Sequence, residues 1–104
     1  MQVTLSPMAK KNINNIFDYI SINSLKYAIE TTQNIRSLIH KLELSPYLGR
    51  YVPELSDKRY RELLYKSYRI IYSVYEDINI IYIHFIIHSK RNLESFYNTY
   101  ISKN

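Results

Sequence analysis

Cysteine is absent from the chain. That excludes disulfides, thiolate zinc sites and thiol catalysis, and it is compatible with a reducing cytoplasm. Glycine occurs once, at Gly49, and a single glycine cannot build a phosphate-cradling loop. Histidine occurs three times. His84 and His88 lie four apart in a segment that reads as a strand, where that spacing spans about 13 Å, too far to share a metal. No Asp/Glu cluster joins them and no Ser-His-Asp signature is present, so neither a metal nor a cofactor is expected. The longest apolar run, Ile78–Ile87, contains Asn79 and His84 and is too short to span a bilayer. The opening MQVTLSPMAKK has no basic region followed by an apolar run, so no signal peptide is expected. These absences predict a soluble cytoplasmic protein with no membrane partner.

What is present fits one domain, residues 1–104. Hydrophobic residues make up 46% of the chain, enough to argue against disorder. The formal net charge is +5, which favours an acidic partner, nucleic acid or protein. The excess is local: Lys58, Arg59, Arg61, Lys66 and Arg69 face only Glu62 within one segment. Ordinary solubility charge is the bland explanation, but it does not require such clustering. The twelve tyrosines resemble stacking platforms for bases. Most of them are better credited to β-propensity and to A/T-rich codons, which Ile, Asn and Lys share.

The chain divides into readable elements. Val3–Leu5 alternates as a short strand. Ser6-Pro7 marks a helix start, with Ser6 as N-cap and Pro7 at the first helical position. Ile13, Ile16, Phe17 and Ile20 then recur at helical spacing to about Ile22. Asn23-Ser24 recaps, and a second helix carries Leu25, Ala28, Ile29, Ile35, Leu38, Ile39 and Leu42 on one face to about Leu44. Together they make an αα-hairpin. Ser45–Arg50 is a turn region in which Gly49 is expected to take a left-handed conformation, and Pro53 rules out a helix across it. Strands follow at Tyr60–Tyr65, Tyr68–Tyr75 and Asn79–His88, joined tightly as an antiparallel meander. In the last, Ile81, Ile83, Phe85 and Ile87 are expected on one face, with Ile78, Ile80, Tyr82, His84, Ile86 and His88 on the other. A strand apolar on both faces is usually central. From Asn92 to Ile101, Leu93, Phe96, Tyr97, Tyr100 and Ile101 mark a short amphipathic helix. The predicted class is α+β: an N-terminal αα-hairpin packed on an antiparallel sheet, with a short C-terminal helix.

The arginines suggest phosphate chemistry. Cleavage of RNA by its own 2′-hydroxyl needs a base, cations on the crowded phosphorane and an acid for the leaving oxygen. Arg69 and Arg91 suit the cationic clamp, with Arg61 as a third contact. His88 suits proton transfer, since imidazole titrates near neutrality. Lys58, Arg59, Arg61 and Lys66 are candidates for binding phosphate or a target surface. Glu62 is a candidate base, but its neighbour Arg61 must point to the opposite side of the strand. The competing reading is structural: Arg61 and Arg69 pair with Glu62 or Glu54, and His88 is a polar strand end. Glu76-Asp77 reads as a solvated turn.

The order of landmarks resembles the RelE/ParE superfamily of bacterial type II toxin–antitoxin toxins. The matching pieces are Val3, Ser6-Pro7-x-Ala9, the helical hairpin, Leu44-x-Pro46-x-x-Gly49-Arg50 and Val52-Pro53-Glu54-Leu55. Tyr60-Arg61-Glu62-Leu63, Tyr68-Arg69-Ile70-Ile71-Tyr72 and His88-x-x-Arg91 follow. Leu5 stands where the family often has an aromatic. The resemblance implies a microbial-ribonuclease-like fold, a cognate antitoxin with which the chain forms a hetero-oligomer, and growth inhibition when the toxin is free. RelE-like members cut mRNA on the ribosome; ParE-like members poison DNA gyrase. The hairpin and the Pro46–Leu55 segment look more like ParE. The RelE-like catalytic pattern carries over in part, to Arg69, Arg91 and Tyr97. Its pair of lysines before the central strand has only Lys58 and Arg61 as stand-ins, and an arginine cannot lose its proton. Tyr97 also lies on the apolar face of its helix, where a core role competes. A degenerate, non-toxic copy that only binds antitoxin is the third possibility.

Overall fold

The computed structural model describes residues 1–89, 91 and 93–100. Its elements are β1 (Gln2–Leu5), α1 (Pro7–Ser21), α2 (Leu25–His40), β2 (Arg50–Tyr51), β3 (Arg61–Tyr65), β4 (Tyr68–Tyr75), β5 (Ile80–His88) and α3 (Leu93–Tyr100). One sheet holds all five strands in the order β1-β5-β4-β3-β2. The α+β layout matches the sequence reading, with two refinements. β2 is a strand that begins at Arg50, where the expected turn region ends. β1 pairs parallel to β5, so the sheet is mixed rather than wholly antiparallel. Parallel neighbours need a long connection, and here everything from α1 to β4 supplies it. Asn92 and Ile101, the expected ends of the last helix, lie outside the described residues, as do the side chains of Phe96 and Tyr100.

Both long helices begin where their caps predict. The Ser6 hydroxyl accepts from the Ala9 N–H at 2.9 Å, and the Ser24 hydroxyl accepts from the Tyr27 N–H at 3.0 Å. Ala9 and Ile13 of α1 and Ile35 and Ile39 of α2 are buried against Leu63, Ile70, Tyr72 and Ile81 of the sheet. The expected stripe on α2 was too wide: Leu25 and Ile29 are exposed, and Thr31 and Thr32 take buried positions instead. Thr32 is tolerated there because its hydroxyl donates to the Ala28 carbonyl at 2.9 Å.

β5 is central and covered on both sides, as its composition predicts; Ile81, Ile83 and Phe85 are fully buried. Its strict alternation, however, breaks. Tyr72 pairs with Ile83 and Ile71 with Phe85, so His84 is an extra residue in a β-bulge. Beyond it the faces swap. Ile81, Ile83 and Ile86 lie under the helices, while Phe85 and Ile87 pack on the other face with Val52, Tyr60, Ile71 and Leu93. The bulge is anchored from outside the strand. Ser6 donates its hydroxyl to the His84 carbonyl at 2.6 Å, and its N–H bonds the Ile83 carbonyl at 2.9 Å.

The bulged imidazole is buried. Its Nε2 lies 2.8 Å from the Ser73 hydroxyl, and its ring centroid is 5.0 Å from those of both Tyr60 and Tyr82. Burial, with a smaller contribution from Arg59, pushes its pKa down to about 4. Between pH 4 and 6.5 the unfolded chain binds a proton that the folded protein refuses, so stability rises with pH across that window. The contribution is complete above 6.5 and is lost as the pH falls toward 4, by at most about 3 kcal/mol. Urea unfolding at several pH values should show this slope, and His84→Gln should flatten it. Below pH 4 a further loss is expected from Glu54 and Asp57, whose carboxyls are held low by Arg69 and Arg59.

Candidate functional site

On the sheet face away from the helices, Arg69 of β4 lies between Leu64 of β3 and Ile87 of β5. Its guanidinium is held by two carboxylates. Nε donates to Glu62 Oε1 at 2.7 Å, and Nη2 lies 2.6 Å from the same oxygen. Nη1 and Nη2 donate to the two Glu54 oxygens at 2.5 and 2.7 Å, a bidentate pair. The second Glu62 oxygen accepts from Arg50 Nε at 2.7 Å. Arg69 is 6% exposed and Glu62 1%. Glu54 and Glu62 together push the Arg69 pKa further up, and Arg69 lowers that of Glu54. All three guanidinium nitrogens are engaged. Arg69 borders a cavity of about 280 Å³ with Arg50, Glu54 and Lys66, where a phosphate would meet the Glu54 carboxylate, and these two arginines and two glutamates carry no net charge. The structural alternative read from the sequence is what is found for Arg69.

The other expected catalytic residues do not join it. His88 is in register with Tyr68, the residue before Arg69. Successive strand residues point to opposite faces, so His88 and Arg69 lie on opposite sides of the sheet. His88 meets the Tyr68 ring edge-on at 5.7 Å. With Arg91 it lines a cleft of about 450 Å³ whose other wall is Asn12, Asn15 and Tyr19 of α1. Tyr97 of α3 packs edge-on against Tyr60 at 5.4 Å, and its hydroxyl donates to Asp57 Oδ2 at 3.3 Å. The core role for Tyr97 is therefore present. Only His88 and Arg91 come together.

The basic segment also divides. Arg59 is bound by Asp57, with Nη2 to Oδ2 at 2.6 Å and Nε to Oδ1 at 3.0 Å, which lowers the Asp57 pKa to about 2. Arg59 and Arg69 are thus neutralised. Lys58, Arg61 and Lys66 have no carboxylate within 4 Å among the described residues. Lys66 sits in the β3–β4 turn at φ 50°, with Nζ 5.2 Å from the Tyr27 ring centroid. Arg61 points away from Glu62, as the strand period requires. Its Nη1 donates to the Gly49 carbonyl at 2.8 Å, and its guanidinium carbon lies 4.4 Å from the Tyr51 ring centroid and 4.9 Å from that of Tyr47. Lys58 Nζ is 5.7 Å from the Tyr51 centroid. Sequence reasoning missed Tyr47 and Tyr51, because nothing local distinguishes them from the other tyrosines. Among the described residues, no group of three or more His, Asp or Glu could hold a metal ion, and no helix is long and apolar enough to cross a membrane.

Residues 3–93 match the family model described as ParE toxin of type II toxin–antitoxin system, parDE. The chain belongs to that family. No curated protein matches it in sequence. Among solved structures, the chromosomal ParDE toxin–antitoxin system from P. aeruginosa is similar, with TM-score 0.72 and 18% identity over 86% of this chain and 97% of that one. The isolated E. coli RelE toxin is similar with TM-score 0.62 and 11% identity, over 91% and 92% of the two chains. The RelBE2 toxin–antitoxin complex from Mycobacterium tuberculosis follows, with TM-score 0.55 and 15% identity over 84% and 88%. At these identities the likeness is one of fold.

Proposed function

We propose that this ParE-family chain inhibits growth by binding a protein target, DNA gyrase, and not by cutting mRNA. The observation that carries this reading is the carboxylate cage around Arg69. A RelE-like cleavage site needs a cation free to meet the phosphorane, together with a proton-transfer group in the same cleft. Every guanidinium nitrogen of Arg69 is bound to Glu54 or Glu62, and His88 lies across the sheet from it. The missing lysine pair points the same way. A protein-binding toxin needs none of these groups.

The partner in the proposed pair is a cognate antitoxin with an acidic, flexible segment that orders on binding. The support is the family, the surplus of positive charge and the toxin–antitoxin pairs seen for the similar ParDE and RelBE2 structures. Inducible expression without antitoxin tests the mode of action. The expected result is growth arrest with broken DNA and full-length mRNA, unchanged by His88→Ala. In a ribonuclease the same substitution should slow cleavage roughly 10²–10⁴-fold, the scale for a general acid or base. Cut mRNA, intact DNA and a strict need for His88 would overturn the proposal, and no arrest at all would identify a degenerate copy.

A further inference from the structure

We infer that the β2–β3 edge of the sheet is a platform for single-stranded nucleic acid, with Tyr47 and Tyr51 stacking on bases and Arg61 and Lys58 holding phosphates. It stands apart from the gyrase proposal and is tested without gyrase.

Arg50, Arg59 and Arg69 are each answered by a carboxylate, but Arg61 and Lys58 are not, within 4 Å among the described residues. Instead both cations lie against tyrosine rings: Arg61 against Tyr51 and Tyr47, and Lys58 against Tyr51. Tyr47 and Tyr51 are each 49% exposed. Aromatic faces interleaved with cations are what a nucleic-acid strand uses, because every base has a π-face and every nucleotide a phosphate.

A structural clamp is the competing explanation, since Arg61 ties β3 to the Gly49 carbonyl beside β2. That accounts for one hydrogen bond of Arg61. It does not account for Lys58, or for two large rings left half in water at a sheet edge. An acidic peptide would be drawn by the same charge, but it would gain little from the ring faces. A duplex hides its base faces in the stack, which selects a single strand. Tyr47, Tyr51, Lys58 and Arg61 lie on strands and loops, not on a helix that could enter a groove, so binding should tolerate any sequence.

Fluorescence anisotropy with a labelled ten-nucleotide strand tests the platform, with a duplex of equal length and a polyglutamate as competitors. The strand should bind in low salt, with log K falling against log salt at a slope of about −1.4, for two phosphates at roughly 0.7 each. Tyr51→Leu should weaken binding roughly 5–150-fold with an unchanged circular dichroism spectrum. Lys58→Gln, a surface change, should reduce the slope by about 0.7. Lys10→Gln with Lys11→Gln, which removes charge from α1 instead, should leave the affinity within about twofold. Equal competition by polyglutamate would reassign the edge to an acidic peptide. No binding, duplex binding as tight as the single strand, or indifference to both Tyr51→Leu and Lys58→Gln would also overturn the inference.

Discussion

Arg69→Ala should destabilise the fold by about 3–5 kcal/mol, because it leaves a buried carboxylate without its main partner. Glu62 is 1% exposed and, among the described residues, would keep only Arg50 as an ion-pair partner, whose own side chain is more than half in solvent. From the sequence alone, Arg69 is a candidate for a cationic clamp on phosphate, a role that needs an accessible guanidinium in a folded protein. The cage corrects this: a loss of toxicity in Arg69→Ala would report unfolding as readily as a lost contact. Arg69→Met combined with Glu62→Leu separates the two effects. Removing both buried ions for apolar groups is often neutral or stabilising. The double variant should therefore recover most of the loss in urea unfolding, although Glu54 and Arg50 then lose their partners. A surface arginine would instead give a single-variant change within about 0.5 kcal/mol.

Gly49→Ala should cost about 2–4 kcal/mol, from crowding and lost hydrogen bonds together. A Cβ there would collide with the Glu62 carbonyl oxygen and come within 2.8 Å of both Cε1 and the hydroxyl oxygen of Tyr72. The first obstacle is backbone and cannot rotate away. Tyr72 is fully buried and bound on both sides: its hydroxyl accepts from the Gly49 N–H at 2.8 Å and donates to the Pro46 carbonyl at 2.9 Å. Moving Gly49 would draw β2 off β3, and Arg50 would leave Glu62 with it. Tyr72→Phe removes the bonds without the crowding and should cost less, about 1–3 kcal/mol. Thermal unfolding of the two variants side by side checks the order. A Gly49→Ala protein as stable as wild type would mean that β2 yields freely.

The single glycine shows where sequence reading stops. It was expected to supply a left-handed turn, yet no glycine has a positive φ; Lys66 and Asn79 occupy that region instead. What Gly49 supplies is room for the Glu62 backbone and the Tyr72 ring, a need set by residues 13 and 23 positions further on. Local signals were legible. Ser6-Pro7 and Ser24 start their helices as read, and Arg61 and Glu62 diverge as the strand period demands. Non-local ones were not. The β5 bulge depends on Ser6, which reaches the His84 carbonyl from the other end of the chain. β2 has two residues, too few to alternate. The parallel pairing of β1 is a property of the sheet as a whole. For the candidate site, the residue types were visible but the pairing of Arg69 with Glu54 and Glu62 was only one of two readings. The choice between them needed the fold of the segment after Gly49.

Purified gyrase and supercoiled plasmid, incubated with toxin freed from its antitoxin, most directly test whether this chain acts by protein binding. Cleaved plasmid should accumulate only when both gyrase and toxin are present, and mRNA on translating ribosomes should stay intact under the same toxin concentration. Cleavage of that mRNA, with plasmid untouched by gyrase and toxin together, would contradict the non-catalytic reading.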